Sequence, residues 1–316
     1  MSLLTTAAAN LYQHRAVSAP LYVELKPEKA QKSSGFRARN TYEVGIKDRV
    51  LIDPCCGSGG MFVQSADFVK RHQGNINDIS VYDQESNPPT WKMTTMNLAI
   101  RGIDADLGDH NADTFFEDLH KTEKFDFILA NPPFNLKDWG GKKLEDDVRW
   151  QYGTTPEGNA NFAWVQHMIH HLNRLGRMGM VLANGALSSQ TNNEGEIRAK
   201  IVDADLVEGI IAMPDKLFYS TGIPVGLWII TRNKKQSGKT LFIDACDMGT
   251  MVSRRLREFT DADIAKVSTA FDAFRDGTLE TEKDFSAIGH DGGYQGAGLH
   301  PDSRPLRRCR RNGGRR

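Results

Sequence analysis

An apolar run that stops on two prolines is the feature that most constrains the fold of this chain. Residues 125–130, FDFILA, are mainly apolar and are followed directly by Asn131-Pro132-Pro133-Phe134. Such a run is typical of an inner strand of a parallel sheet, which helices cover on both faces. Proline has no N–H for the strand ladder and restricts the residue before it to extended geometry, so the strand must end at Asn131. The sequence therefore predicts an α/β fold around this strand.

The four residues after this strand are suited to binding a planar amine. The side-chain oxygen of Asn131 and the carbonyl oxygen of Pro132 are neighbouring acceptors, and Phe134 offers a flat face to a ring. Ligands of open α/β sheets bind at the carboxyl edge of the strands, where Asn131, Pro132, Pro133 and Phe134 are expected. The alternative is a proline turn without a function, because short motifs recur by chance.

A glycine-rich turn follows another predicted strand, Arg49 to Asp53, and precedes a helix-period run from Met61 to Arg71. Glycines let the backbone approach a ligand, and the helix N-terminus presents free N–H groups. The dinucleotide fingerprint does not fit, since Phe62 stands where its third glycine belongs. A turn that only packs helix on strand is the alternative. The candidate ligand-binding residues here are Asp53, Gly57, Ser58, Gly59 and Gly60.

Two further acids are candidates for the same site. Glu85 comes just after the predicted strand Ile79 to Asp83 and before a helix from about Pro89 to Arg101. Nucleotide-binding α/β folds hold ribose hydroxyls with an acid in this position, although Glu85 could instead favour the helix N-terminus. Asp113 follows a possible short strand at 103–107 and could either approach an adenine amino group or be a surface acid.

The rest of the chain continues the alternation of strands and helices. The polar segment 137–158 is too long for an ordinary connection and is either a functional or mobile loop or a disordered excursion. We divide the chain into a weakly structured segment 1–43, an α/β domain 44–250, a helical segment 251–285 and a disordered basic tail 286–316. The pattern predicts helices at 161–175, 194–202 and 260–274, the last with Thr260 as N-cap, and strands at 179–183, 206–213, 225–231 and 241–244, the last at an edge.

Charge and composition limit the possible functions. The 40 basic and 40 acidic residues balance, but seven arginines lie between Arg304 and Arg316, which leaves 33 basic against 40 acidic residues in the remainder. An acidic body binds DNA weakly on its own, so a basic partner would do most of the holding. Neither a signal peptide nor a membrane-spanning run is apparent, which predicts a cytoplasmic protein.

A metal site is not indicated by the sequence. The four cysteines have no CxxC spacing. His167, His170 and His171 lie on one predicted helix without an accompanying acid, which favours solvated or packed histidines.

Five motifs, in this order, resemble the modification (M) subunit of type I restriction-modification systems, an N6-adenine DNA methyltransferase. They span roughly residues 49–275 of the chain. The resemblance implies a Rossmann-like methyltransferase fold with a mostly parallel seven-stranded sheet and helices on both faces. It places the catalytic domain at 44–250. The motifs are IDPCCGSGG at 52–60, DQESN at 83–87, NPPF at 131–134, GNANFAW at 158–164 and ANG at 183–185.

The resemblance also implies roles and partners. The glycine loop would bind S-adenosylmethionine, Glu85 its ribose, and Asn131 to Phe134 an adenine flipped out of DNA. A specificity (S) subunit would choose the target sequence, and a restriction (R) subunit would complete the complex. Family members carry a large helical region with an aromatic-Thr-Pro segment before the glycine loop, which we do not find, and a longer C-terminal region after about Phe285.

These departures predict a chain truncated at both ends, with cofactor affinity and complex assembly in question. Two other interpretations stay open. One is a non-catalytic or degraded S-adenosylmethionine-binding subunit. The other is a methyltransferase that acts on a protein glutamine or an RNA amine, since the same pair of acceptors would serve.

Overall fold

The computed structural model of the protein describes residues 49–71, 79–190, 193–218 and 221–290. Our predictions for 1–48 and 291–316 lie outside these ranges. The α-helices of the described part are α1 Gly60–Arg71, α2 Pro88–Ile100, α3 Asn161–His171, α4 Glu194–Asp203 and α5 Asp261–Arg275. Its strands are β1 Arg49–Asp53, β2 Ile79–Asp83, β3 Ala105–Asp106, β4 Phe125–Ala130, β5 Leu172–Ala183, β6 Val207–Ala212, β7 Val225–Thr231, β8 Lys239–Asp244, β9 Thr250–Met251, β10 Arg257–Glu258 and β11 Ser286–His290.

The main sheet has nine strands in the order β11-β8-β6-β7-β5-β4-β1-β2-β3. Strands β3, β2, β1, β4 and β5 are parallel to one another, and β6 is parallel to β8. Strand β7 lies between these two groups and runs antiparallel to both β5 and β6. The predicted α/β class with a mostly parallel sheet is therefore confirmed. The chain leaves β1 toward β2 on one side and returns to β4 on the other, which creates a crevice for a ligand at the carboxyl ends of β1 and β4.

Each inner strand contributes side chains to two hydrophobic layers. Ile52 of β1 and Ile128 of β4 belong to one layer, while their neighbours Leu51 and Leu129 belong to the other. This alternation follows from the two-residue period of a strand, and it explains why FDFILA is mainly apolar. Buried residues of α3 and α4 complete the first layer, and those of α1, α2 and α5 complete the second.

The C-terminal end of the described chain differs from our prediction. The tail was expected to begin at residue 286, but Ser286–His290 pair antiparallel with β8 along all five residues. Strand β8 consequently lies between β6 and β11 and is not an edge strand, and the sheet has two strands more than the expected seven. Because SAIGH is short and mixes small and polar residues, its sequence gives little strand signal.

Helix α5 joins this region to the core of the sheet. Phe271 and Phe274 are buried in the same layer as residues of β6 and β8, so 251–285 does not form a separate unit. The helix begins after Thr260, as predicted, and Thr260 and Asp263 form a reciprocal capping box. No helix within the described ranges is long and apolar enough to cross a membrane.

One helix boundary was also wrong. We expected α3 to continue to residue 175, but it ends at His171 and the chain enters β5 at Leu172. The polar residues Asn173 and Arg174 hide the start of β5 in the sequence. A register shift between β4 and β5 accommodates them, because Phe125 pairs with Leu172 while Phe127 pairs with Arg177.

Removing β11 should destabilise the protein. A chain that ends at Phe285 lacks the ladder that covers β8, whereas a chain that ends at His290 keeps it. We expect the shorter chain to melt roughly 5 °C or more below the longer one, since a change of 1 kcal/mol shifts the melting temperature of a domain of this size by about 2–4 °C. Calorimetric melting of the two chains measures the difference, and equal melting temperatures would show that residues 286–290 do not belong to the folded core.

Candidate active site

A cavity of about 850 Å³ opens at the carboxyl ends of β1, β2 and β4. Its wall contains residues from the glycine loop, from the segment after β2 and from the segment after β4. Of the eleven candidates predicted from the sequence, ten line it: Asp53, Gly57, Ser58, Gly60, Glu85, Asp113, Asn131, Pro132, Pro133 and Phe134. The exception is Gly59, which is buried but is not part of the wall.

Gly59 is required for packing. Its φ is +74°, and a Cβ built there would lie 2.9 Å from Cγ2 of Thr94 on helix α2. The same face of α2 holds the carbonyl groups of the loop, because the Thr94 hydroxyl donates to the Gly57 carbonyl and the Asn97 Nδ2 donates to the Ser58 carbonyl at 2.7 Å. Helix α2 therefore fixes the glycine loop from the side away from the cavity.

Glu85 joins the glycine loop to the start of α2. Its Oε2 accepts from the backbone N–H of Gly57 at 3.1 Å, and its Oε1 accepts from the N–H of Asn87 at 2.8 Å. Asn87 is the N-cap of α2 and accepts from the N–H of Thr90, so Glu85 does not occupy the cap position. Burial raises the pKa of Glu85, and the three backbone donors at Asn87, Gly57 and Ser86 partly offset this.

Two buried aspartates lie side by side where β1 and β2 end. Asp53 and Asp83 are partners in the parallel register, and they are 2% and 0% exposed. Burial raises the pKa of Asp53 to about 7, although its Oδ1 accepts from the N–H of Cys55 at 3.1 Å. Burial, with a smaller effect of the neighbouring Asp53 charge, also raises the pKa of Asp83 well above its usual range, and the Cys56 thiol only partly offsets this. At neutral pH, Asp53 is therefore close to its midpoint.

The segment after β4 is held by a pair of asparagine side chains. The N–H of Asn135 donates to Oδ1 of Asn161 at 3.0 Å, and Nδ2 of Asn161 donates to Oδ1 of Asn135 at 2.9 Å. Asn135 has a φ of 52°, a conformation that asparagine tolerates better than most residues. Asn161 is the first residue of α3, so this helix fixes the end of the NPPF segment.

The arrangement leaves Asn131 available for a ligand. Its Oδ1 atom is buried and has no hydrogen-bond partner within the described part of the chain, which is unusual for a buried amide. Phe134 is partly buried and packs edge to face against Phe218, with ring centroids 5.9 Å apart. Phe218 also lines the cavity. A planar amine entering here would meet an acceptor and an aromatic face.

The long polar segment 137–158 is packed against the domain. Trp139 and Trp150 are 6% and 8% exposed and belong to the core layer of α3. The indole N–H of Trp139 donates to the Pro156 carbonyl at 3.0 Å. The disordered-excursion interpretation was therefore wrong. Trp139, Lys137 and Asp138 line the cavity, as expected for a functional loop.

Arg149 connects this segment to the loop that carries Asp113. Its guanidinium donates to the carbonyls of Thr114 and Phe115, at 3.1 and 2.5 Å, and to both carboxylate oxygens of Asp147, at 2.8 and 2.7 Å. The Thr114 hydroxyl in turn donates to the Pro54 carbonyl at 2.6 Å. Arg149 thus fixes the wall of the cavity beside Asp113 from behind.

The histidines of α3 are packed, with an acid that the sequence did not reveal. Asp118, His167 and His171 bring three potential metal-ligand atoms within 4.8 Å of one another. Most of these atoms already have polar partners within the protein. His171 contacts the Glu123 carbonyl at 3.0 Å and Asp118 at 2.9 Å, and Nδ1 of His167 contacts Arg149 at 3.1 Å.

The electrostatics of this cluster depend on the buried Asp118 carboxyl and on the neighbouring Arg149. Burial raises the pKa of Asp118, but the hydrogen bond from His171 and the nearby histidine charges outweigh burial and lower it to about 2. The Arg149 guanidinium beside His167 would repel a metal cation.

Sequence reasoning did not identify Asn161, Phe218, Trp164 or Arg149 as functional residues. Trp164 lines the cavity from α3, within the GNANFAW motif. That motif was a usable signal for Asn161 and Trp164. No pattern in the sequence linked Arg149 to residues 114 and 115, since this contact depends on the tertiary fold.

The chain matches a known protein family over most of its length. Residues 43–289 match the family model described as N-6 DNA Methylase. The type I restriction enzyme HindI methylase subunit of Haemophilus influenzae is 56% identical over 225 residues, which cover 71% of this chain and 51% of the relative. The MjaIX methylase subunit of Methanocaldococcus jannaschii is 41% identical over 243 residues, which cover 74% of this chain and 43% of the relative.

A solved structure has the same fold. The type I restriction-modification system methyltransferase subunit from Streptococcus thermophilus has a TM-score of 0.72 and 25% identity, and the match covers 88% of this chain and 55% of that one. The chain thus spans about half the length of the relatives that it matches.

The raised pKa of Asp53 should make stability depend on pH. Since the folded protein holds this proton up to about pH 7 and the unfolded chain releases it near pH 4, Asp53 stabilises the fold at low pH. Its contribution should fall by about 1.4 kcal/mol per pH unit between these values and level off above them. Urea unfolding of the wild type and of Asp53→Asn from about pH 5 to about pH 8 checks this, since the variant should gain relative stability as the pH rises. Parallel profiles would show that Asp53 is already ionised at pH 5.

Replacing Arg149 should loosen the loop beside Asp113. Arg149→Lys keeps the charge but cannot reach both carbonyls and both oxygens of Asp147 at once. We expect the free energy of unfolding to fall by about 2–4 kcal/mol, because buried carbonyls lose charged donors. The exposed Arg174, changed to Lys, is the matched control and should alter stability by less than about 0.5 kcal/mol. A loss at Arg149 as small as that of the control would refute the structural role.

Proposed function

This chain belongs to the N-6 DNA methylase family, and on that premise we propose that it transfers a methyl group from S-adenosylmethionine to the N6 amino group of adenine in DNA, as the modification subunit of a type I restriction-modification system. One observation carries the proposal. The unpartnered Oδ1 of Asn131 and the neighbouring Pro132 lie in the same cavity as the glycine loop. An adenine amino group has two N–H donors, which these two acceptors match.

The residues of the cavity fit the proposed cofactor. Its volume suits a ligand of this size, and acidic side chains in its wall suit a sulfonium and an ammonium group. Glu85 would accept from the ribose hydroxyls, because each of its oxygens has a second lone pair beside its backbone contact. Asp53 would accept from the amino group of the methionine part, and Asp113 from the adenine amino group. When bound, S-adenosylmethionine supplies an electrophilic methyl group.

The NPPF segment would hold the target base. A base within a duplex cannot reach the cavity, so the adenine must be flipped out, and Phe134 would stack on its ring. Asn131 and Pro132 would each accept one N6–H, which orients the nitrogen for attack. The same two oxygens would stabilise the positive charge that develops on N6 as the N–C bond forms and the bond between the methyl group and the sulfonium sulfur breaks, which leaves a neutral thioether. The nitrogen would then release a proton to solvent. Positioning and electrostatics therefore supply most of the acceleration.

The supports behind these residues favour a preformed site. Asn161 holds Asn135, and Phe218 supports the ring of Phe134. Helix α2 holds the carbonyls of the glycine loop. Because these contacts are made by the protein itself, little ordering remains to be done on binding.

We further propose that DNA binding depends on partner subunits. Without the arginines at 304–316, the chain carries 33 basic against 40 acidic residues, which is unfavourable for contact with phosphates. A specificity subunit would supply the basic surface and choose the target sequence, and a restriction subunit would complete the complex. The relatives are named as methylase subunits of type I restriction enzymes, in agreement with this proposal.

The decisive variant is Asn131→Ala. We expect it to bind S-adenosylmethionine within about threefold of the wild-type affinity and to lose about 100-fold or more of its methylation rate, since one stabilising acceptor is removed. Calorimetry measures cofactor binding. Transfer of labelled methyl groups to unmethylated genomic DNA, with a specificity subunit present, measures methylation.

The control for this experiment is Asn233→Ala. Asn233 is exposed and follows β7, whose antiparallel direction places its end at the edge of the sheet opposite the cavity. This variant should match the wild type in both assays. Loss of cofactor binding together with methylation in Asn131→Ala would contradict the separate roles. A folded wild type that binds the cofactor but methylates no DNA would favour the non-catalytic interpretation.

A further inference from the structure

A buried hydrogen-bond donor in the cavity wall has no partner within the described part of the chain. Trp164 is 6% exposed and lines the cavity, and its indole Nε1 has no hydrogen-bond partner among the described residues. Buried indole N–H groups are normally paired, because an unpaired one is costly. By contrast, the indoles of Trp139 and Trp150 in the same cluster donate to the carbonyls of Pro156 and Leu144.

The position of Trp164 sets it apart from the other unpaired indole. Nε1 of Trp228 also lacks a partner in the described part of the chain, but Trp228 is not part of the cavity wall. Of these two indole N–H groups, that of Trp164 is therefore the one placed to meet a ligand that fills the cavity.

Trp164 belongs to the half of the cavity that is proposed to hold the cofactor. Its ring packs against Phe115, with centroids 4.3 Å apart and planes at 47°. The loop of Phe115 is tied to the ends of β1 and β2, because Thr114 donates to the Pro54 carbonyl and Ala112 to the Glu85 carbonyl. Phe134, the proposed platform for the target base, packs instead against Phe218.

We propose that the indole N–H of Trp164 donates a hydrogen bond to a ring nitrogen of the cofactor's adenine. This inference rests on the proposed function and adds a residue that selects an adenine nucleoside. Adenine carries acceptors at N1, N3 and N7 and a donor at its amino group, whereas the ribose hydroxyls and the ammonium group are matched by the acidic Glu85 and Asp53. Asp113 and Trp164 both line the cavity, and an acceptor from Asp113 with a donor from Trp164 would together complement adenine.

The test removes the donor and the acceptor separately. Trp164→Phe keeps an aromatic ring against Phe115 and deletes the N–H. The acceptors are deleted one at a time in the 1-deaza, 3-deaza and 7-deaza analogues of S-adenosylhomocysteine. Calorimetric affinities of the wild type and the variant for the parent ligand and the three analogues form double-mutant cycles.

The expected result is coupling with one analogue. The wild type should bind that analogue about 3- to 10-fold more weakly than the parent ligand, since one hydrogen bond is lost. Trp164→Phe should bind the parent ligand more weakly than the wild type by a similar factor. The variant should bind that analogue no more weakly than it binds the parent ligand, because the hydrogen bond is already absent. Trp150→Phe is the matched control. Its indole is bonded to Leu144 and lies outside the cavity wall, so it should show the wild-type order of affinities.

The outcomes separate this inference from the proposed function. If the wild type binds the parent ligand and Trp164→Phe weakens all four ligands by the same factor, the hydrogen bond is refuted and the proposed function stands. If a wild type with a folded circular dichroism spectrum binds none of the four, both are overturned. Coupling with any one analogue supports the inference and identifies the ring nitrogen.

Discussion

The end of β4 immediately before Asn131 is the constraint on which the site depends. In an open parallel sheet, a crevice forms at the carboxyl ends of two adjacent strands when the chain segments that follow them go to opposite sides of the sheet. Pro132 and Pro133 stop β4 in register with β1, whose last residue is Asp53. Asp53 and Asn131, at these two ends, then line the cavity. Burial raises the pKa of Asp53 and Asp83, and the buried Oδ1 of Asn131 has no hydrogen-bond partner among the described residues.

The cavity wall is fixed by contacts on its far side. Thr94 and Asn97 hold carbonyls of the glycine loop, Arg149 holds those of Thr114 and Phe115, and Asn161 holds Asn135. Backbone groups that face away from the cavity are thus satisfied by the protein. The buried side-chain atoms that lack partners in its wall include Oδ1 of Asn131 and Nε1 of Trp164. Such a division is expected of a site that is ordered before its ligand arrives, because unsatisfied groups are tolerated where a ligand pairs them.

Sequence reasoning succeeded where a local pattern determines the structure. The strands at 79–83 and 225–231 have their predicted bounds, because each is a short apolar run between turns. It failed where partners are far apart, as for Arg149, which reaches Thr114 across 35 residues, and for His171, which meets Asp118 across 53. Gly59 packs against Thr94 of α2 and is not part of the cavity wall. Its role depends on the approach of α2, which the glycine pattern does not reveal.

The charge of the cavity limits how the proposed reaction with DNA could take place. Asp53, Glu85, Asp113 and Asp138 line the wall, and the described basic residue beside them is Lys137. This field favours a cationic ligand and tolerates a neutral base, but it opposes phosphate. In the proposed reaction, a flipped adenine would enter this cavity without its charged backbone, so the chemistry would need no basic groups inside. Phosphate contacts would then come from outside the acidic body, which is the physical reason to expect that cofactor binding and DNA binding are separable in this chain.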